Sequence, residues 1–207
     1  MKNLDYTLQR ELSGQAAVVC GVDEAGRGPL AGPVAAAACI LPEGLVIEGL
    51  NDSKKLSPKK REELDGIIRE KAVAFCVSTS SVEEIDRLNI LEATLLAMRR
   101  AVEGLSVRPD FLLIDGNISR SFPIPARSVV GGDALCPSIA AASILAKVWR
   151  DRYCMELDAK YPAYGFASHK GYGTKAHIDA IRKFGPTPDH RALFVSHFLP
   201  AKKEGEV

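Results

Sequence analysis

Residues 16–41 read A-A-V-V-C-G-V-D-E-A-G-R-G-P-L-A-G-P-V-A-A-A-A-C-I-L, and their order decides the fold class. Ala16 to Val22 is an apolar run of strand length that stops on two acids, Asp23 and Glu24, and Val34 to Leu41 is a second such run. Between them Gly26, Gly28, Pro29, Gly32 and Pro33 recur too often for any helix to form. Two strands therefore flank a rigid loop, and so short a connection predicts that they pair antiparallel.

Further along, Asn51 to Leu56 is a polar loop, followed by Ser57 as N-cap and Pro58 at the first position of a helix whose apolar face is Leu64, Ile67 and Ile68. Ala72 to Ser78 reads as a strand. The spacing of Ile85, Leu88, Leu95, Met98 and Val102 predicts one long helix over 81–105. Phe111 to Ile114 is a strand that again ends on an acid, Asp115, and Ser128 to Val130 a short one ahead of Gly131, Gly132 and Asp133. From Pro137 the run S-I-A-A-A-S-I-L-A-K-V-W-R-D-R is a strong helix former with small residues that suit close packing on a sheet. Beyond Tyr161 short helices are expected near Thr174 to Phe184 and Pro188 to Val195. The class is α/β: a mixed central sheet flanked by helices, with residues 161–207 a helical C-terminal portion packed on one domain.

The chain has 207 residues, 46% hydrophobic and 26% charged, enough to bury a core and too regular for disorder, collagen or a disulfide miniprotein. With 27 basic against 26 acidic residues the net charge is +1, so any contact with a polyanion must use a local basic patch. Five scattered cysteines suit buried thiols in a reducing compartment, and neither disulfides nor zinc is expected. Residues 1–13 lack the apolar stretch of a signal peptide, and no later run spans a bilayer, so the expected location is the cytoplasm.

Asp23, Glu24, Asp115 and Asp133 stand at or near strand ends or just ahead of a helix, so the four could converge. Crowded carboxylates either take up protons or bind a cation, and oxygen ligands without His or Cys favour magnesium or manganese. Such a site suits in-line attack on a phosphodiester, with paired ions assisting the attacking water and the leaving oxygen. Each acid also has a plainer reading. Asp115-Gly116 is a common hairpin turn pair, Asp133 could cap a turn, and Asp23-Glu24 could be a solvated strand end. Spacing alone leaves convergence open.

The loop after the first strand imitates a dinucleotide fingerprint, but its third glycine comes one residue late, and Pro29, Gly32 and Pro33 break the helix that would hold a pyrophosphate. Glycines that let backbone approach a ligand, with peptide groups that read a sugar hydroxyl, fit better. Lys54, Lys55, Lys59, Lys60 and Arg61 are the densest basic cluster. The second half is balanced by Glu62, Glu63 and Glu70, which leaves Lys54 and Lys55 as phosphate candidates. His169, His177, His190 and His197 lack metal-ligand spacing, and neither G-x-S-x-G nor a P-loop occurs. The rival classes are a noncatalytic nucleic-acid or nucleotide-binding module and, more remotely, a NAD enzyme.

V-D-E-A-G-R-G-P-L-A-G-P-V (Val22 to Val34) resembles the opening signature of the bacterial ribonuclease HII family. The resemblance continues in order through N-D-S-K-K-L-S (Asn51 to Ser57), L-N-I-L-E-A-T-L-L-A-M (Leu88 to Met98) and L-L-I-D-G-N (Leu112 to Asn117). It then runs through G-D-A-L-C-P-S-I-A-A-A-S-I-L-A-K-V (Gly132 to Val148) and Y-G-F-A-S-H-K-G-Y-G-T (Tyr164 to Thr174). The related HIII branch has a different glycine motif and an additional N-terminal domain, and is disfavoured.

The resemblance implies a ribonuclease H-like fold and endonucleolytic cleavage of RNA in RNA/DNA hybrids and 5′ of single ribonucleotides in duplex DNA, leaving 5′-phosphate and 3′-hydroxyl ends. It implies that Asp23, Glu24, Asp115 and Asp133 bind Mn²⁺ or Mg²⁺, two ions with substrate bound, the first three being the firmest ligands. Gly26, Arg27 and Gly28 match the tripeptide whose backbone recognises the 2′-hydroxyl, and Tyr172 the tyrosine that packs on the sugar at the RNA-to-DNA junction. Lys55, Asn89 and Ser138 fall on positions expected to contact phosphates. The expected partners are RNA/DNA hybrids and ribonucleotide-containing duplexes, acted on by a monomer away from membranes. A replication clamp is not a partner these residues identify. Leu193 stands where the family often has serine, which touches C-terminal contacts rather than catalysis.

Overall fold

In the computed structural model, which describes residues 4–120 and 122–199, a short helix α1 (Thr7–Ser13) precedes β1 (Val19–Ala25) and β2 (Val34–Ile40). Then come α2 (Pro58–Lys71), β3 (Ala74–Ser80), α3 (Val82–Leu88), α4 (Ile90–Glu103), β4 (Phe111–Asp115) and β5 (Ala126–Val129). The long α5 (Pro137–Lys160) follows, and α6 (Phe166–His169), α7 (Lys175–Phe184) and α8 (Ala192–Val195) complete the described chain. The sheet order is β3-β2-β1-β4-β5, with β1, β4 and β5 mutually parallel and β2 antiparallel to both β1 and β3. The first two strands pair antiparallel, as their short connection predicts.

Every residue of β2 is buried, because both faces of the sheet are covered. Val34, Ala36, Ala38 and Ile40 pack with Ala93, Ala97 and Met98 of α4, whereas Ala37 and Cys39 pack with Ala141, Ile144 and Leu145 of α5. That is the two-residue period of a strand read by two helices. Full burial of Ile144 or Leu145 stabilises by about 1.5–3 kcal/mol each. Small residues set how near α5 comes: a Cβ on Gly21 would lie 2.1 Å from the Ser138 carbonyl carbon, so glycine there admits the first turn of the helix directly onto β1.

The helix expected over 81–105 is two helices. Asn89 sits at φ 70, ends α3, and accepts the N–H groups of Leu91 (2.9 Å) and Glu92 (3.2 Å) to start α4. Asparagine tolerates this conformation and its side chain competes for backbone donors, so an apolar period can run across a break. Similarly, of the segment expected to be helical over 188–195 only α8 forms, because Ala31 bridges to His190 in antiparallel fashion and Arg191 is extended. The C-terminal portion is stitched to the glycine loop by Gly32 N–H to the Asp189 carbonyl (2.7 Å), Arg191 N–H to Leu30 (2.9 Å) and Leu30 N–H to Gly171 (2.8 Å). Leu30 and Ala31 share an apolar cluster with Phe166, Ile181 and Val195. Among the described residues no helix is long and apolar enough to cross a membrane.

Candidate active site

Parallel pairing sets Val22 beside Ile114, so the next residues, Asp23 and Asp115, are neighbours at the same end of the sheet. Both fall on the α5 face, in phase with Ala25 and Leu113. The 3₁₀ turn Gly132–Ala134 brings in the third acid, and oxygen atoms of Asp23, Asp115 and Asp133 all lie within 4.8 Å of one another. Asp115 is not part of a hairpin turn, since β4 and β5 are parallel. Glu24, one residue further along β1, lies outside that triad. It borders the same cleft at the strand's other face, with its Oε1 3.4 Å from Arg27 Nη1.

Asp23 and Asp133 are buried and Asp115 is half-buried. Burial raises Asp23 well above the usual carboxylate range, and the charges of Glu24 and Asp115 raise it further against hydrogen bonds from the Ser143 hydroxyl and the Glu24 peptide. Burial, then Asp115 and Asp52, push Asp133 up to about 6, with Lys54 opposing. Glu24 is raised by burial, which the charge of Arg27 partly offsets. The Lys54 ammonium stands 3.8 Å from Asp133 Oδ2; its burial is outweighed by Asp133, Asp23, Asp52 and Asp115, so it is raised. A purely oxygen donor set, held close and short of positive charge, fits a hard divalent cation.

A cleft of about 220 Å³ opens beside the acids, lined by Gly26, Arg27, Gly28, Lys54, Lys147 and Tyr172 among others. Gly26 has φ +94, and a Cβ there would meet Arg150 Nε at 2.4 Å, so both conformation and packing demand glycine. Tyr172 is 48% exposed and its Cε1 would lie 3.5 Å from a Cβ on Gly28, which puts the aromatic ring beside the loop.

The three residues expected to contact phosphates divide. Ser138 does not face the cleft: it is wholly buried in the turn of α5 that rests on Gly21, and its hydroxyl donates to Gln9 Oε1 at 2.8 Å. Lys55 is exposed on a neighbouring groove with Leu4, Leu8 and Leu135, its Nζ 3.9 Å from Asp52, so Lys54 is the lysine of that pair at the acids. Asn89 is exposed, with its side-chain oxygen committed to capping α4. Leu193 is exposed and its N–H donates to Asp86. Sequence reasoning passed over the structural part played by Arg150 and Arg191, both buried behind the glycine loop. Arg191, next to His190 in a loop-rich tail, carries no spacing signal.

Residues 20–199 match the family described as Ribonuclease HII. The chain is 61% identical over 178 residues to the ribonuclease HII of Laribacter hongkongensis, covering 85% of this chain and 90% of that one. It is 59% identical to the ribonuclease HII of Albidiferax ferrireducens, covering 86% of each. The crystal structure of ribonuclease H2 from Pyrococcus horikoshii superposes with a TM-score of 0.71 at 28% identity, over 87% of this chain and 98% of that one. With Asp23 and Asp115 on two parallel strands, Asp133 on the turn before α5 and a glycine loop beside them, the chain belongs to the ribonuclease HII family and is a ribonuclease H.

Proposed function

We propose that this ribonuclease cuts the RNA strand of RNA/DNA hybrids and nicks duplex DNA on the 5′ side of a single embedded ribonucleotide, leaving 5′-phosphate and 3′-hydroxyl ends. The observation that carries the reading is the meeting of Asp23, Asp115 and Asp133 within 4.8 Å, next to a loop that offers peptide groups to the same cleft. Asp23, Asp115 and Asp133, with Glu24 at their edge, would hold Mn²⁺ or Mg²⁺. When bound, such ions supply the positive charge that lets these acids ionise together and the Lewis acidity that phosphodiester hydrolysis requires.

The rest falls to the chain's own residues. Lys54 and Lys147 give the cleft positive charge for the phosphate backbone, while Lys55, exposed on the neighbouring groove, and exposed Asn89 are left as outlying phosphate contacts. Peptide N–H groups of the Gly26 to Gly28 loop read the 2′-hydroxyl while the exposed Tyr172 ring packs on the sugar, tying hydrolysis to the presence of ribose. We take the protein to act as a monomer in the cytoplasm, whose reducing conditions suit its five free thiols.

The test is a DNA duplex carrying one ribonucleotide, incubated with the protein and Mn²⁺. Expected are a single nick 5′ of the ribonucleotide, an intact all-DNA control and no nick in excess chelator. Equal cutting of the all-DNA control would overturn the ribose reading, and cutting that persists in chelator would overturn the metal reading.

A further inference from the structure

Two arginines lie behind the glycine loop with almost no exposure, Arg191 at 0% and Arg150 at 2%. Among the described residues no carboxylate comes within salt-bridge distance of either guanidinium, although a buried cation ordinarily needs a counter-charge. Arg191 is held by backbone carbonyls, and Arg150 by one carbonyl and, through Nη1, the Cys154 sulfur at 3.2 Å. Arg191 donates from Nη2 to Gly26 (2.6 Å), from Nη1 to Arg27 (2.8 Å) and from Nε to Gly32 (2.9 Å), and Arg150 donates from Nη2 to Ala31 (2.7 Å). Burial and the charge of Arg150 bring Arg191 down to about 9, which still leaves it charged at neutral pH.

The consequence follows from peptide geometry. In a trans peptide the C=O and the following N–H point in opposite directions. The Gly26 carbonyl shares its plane with the Arg27 N–H, and the Arg27 carbonyl with the Gly28 N–H. In an extended strand successive carbonyls alternate sides, whereas here two consecutive ones reach a single guanidinium, just after φ +94 at Gly26 has turned the chain out of β1. The paired N–H groups then face away from Arg191, and neither has a hydrogen-bond partner among the described residues. A carbonyl bound to a cation also makes its own peptide N–H a stronger donor.

We propose that Arg191 is a positioning residue for ribose recognition: by gripping the Gly26 and Arg27 carbonyls it holds the Arg27 and Gly28 N–H groups outward, as a preorganised pair of donors for a sugar 2′-hydroxyl. This rests on the reading of the Gly26 to Gly28 loop given above. Lysine at 191 would keep the charge but lose the fork that spans two carbonyls.

The test measures duplex binding in an Asp115→Asn background, where cleavage is suppressed, with and without Arg191→Lys. Each is titrated with a duplex bearing one ribonucleotide and with its all-DNA twin. The parent is expected to favour the ribonucleotide by about tenfold, as for one or two hydrogen bonds to a hydroxyl, and Arg191→Lys to bring that ratio below about twofold while all-DNA affinity changes little. A ratio unaltered by Arg191→Lys overturns the inference, as does an equal fall on both duplexes, which is what a merely structural arginine predicts. A parent that shows no ribose preference instead removes the ribose-reading role of the loop, and this inference with it.

Should Arg191→Lys fail to fold, backbone relaxation of the native chain decides. The Arg27 and Gly28 amides should be rigid, with order parameters near 0.85, and should shift on adding the ribonucleotide duplex more than its twin. Order parameters below about 0.6, or equal shifts with both duplexes, overturn the proposal.

Discussion

Asp115 Oδ1 accepts the backbone N–H of Gly132 at 2.7 Å, so the carboxylate that ends β4 also holds the peptide next to Asp133. One side chain thus belongs to the acidic triad and fixes the turn that delivers another member of it. Asparagine keeps an acceptor at that place and removes the charge; alanine removes both. Asp115→Asn is expected to melt within about 2 °C of the native chain while cleavage falls at least about 100-fold, since a ligand to the cation would be lost. Asp115→Ala is expected to lose a further ~1 kcal/mol, a drop of about 2–4 °C. Calorimetry beside cleavage assays separates the two; a native-like melting point for Asp115→Ala would show that the bond to Gly132 contributes nothing.

Asp23 is buried among like charges, with its carboxyl held well above the ordinary range. A group in that position weakens the metal-free fold at neutral pH, because folding forces charge into a place that prefers a neutral group. Asp23→Asn should therefore raise the melting temperature of metal-free protein by about 2–4 °C, corresponding to ~1 kcal/mol, while abolishing cleavage. Mn²⁺ should raise the melting point of the native chain more than that of the variant. A variant less stable than the native chain in chelator would contradict the repulsion argument.

The adjacent lysines give a sharp contrast. Lys54 Nζ is 3.8 Å from Asp133 and lines the cleft, whereas Lys55 points to a separate groove. Lys54→Ala is expected to lower kcat/KM by about tenfold and to flatten the dependence of KM on salt, with Lys55→Ala changing it less than about threefold. The same ranking should hold at several ionic strengths. Reversed effects would mean that the substrate approaches across the Leu135 groove instead.

Three histidines tie the Tyr172 loop to the C-terminal segment. Thr187 N–H donates to His190 Nδ1 (2.9 Å), which leaves the neutral ring's proton on Nε2 to donate to His177 Nε2 (3.1 Å); His177 Nδ1–H then reaches the Tyr172 carbonyl (3.0 Å). His169 stacks on His177 at 4.2 Å and accepts the Gly171 N–H. The chain of bonds works only with neutral rings. Burial, first of all, holds His177 and His190 down to about 4 against an ordinary 6.5. The sign follows: the unfolded chain takes up protons first, so this stability is complete above pH 6.5 and lost as pH falls from 6.5 towards 4. The loss is about 3 kcal/mol for each ring that takes up a proton. Urea unfolding between pH 4 and 7.5 measures it. His190→Gln, whose amide offers both a donor and an acceptor, should show a flatter profile, and an unchanged slope would place the titration elsewhere.

Local physics made most elements legible. Ser57 with Pro58 announced α2, and its hydroxyl accepts the Lys60 N–H as an N-cap should. Apolar runs marked β1, β2 and β4, and Pro137 opened α5. The break at Asn89 was hidden because an apolar period tolerates one left-handed residue whose side chain restarts the next helix.

What the amino-acid order determined by itself was which segments become strands and helices, and that acids stand at the ends of apolar runs; these depend on neighbours a few residues apart. That Asp23, Asp115 and Asp133 share one point while Glu24 stands at its edge was decided by the parallel register of β1 with β4 and the turn before α5. Tertiary packing likewise buried Ser138 against Gln9, chose Lys54 over Lys55, and brought Arg191 across 165 positions of sequence to the Gly26 carbonyl. Such distances are closed by burial of the two faces of a sheet, and no local pattern encodes where the far partner will land.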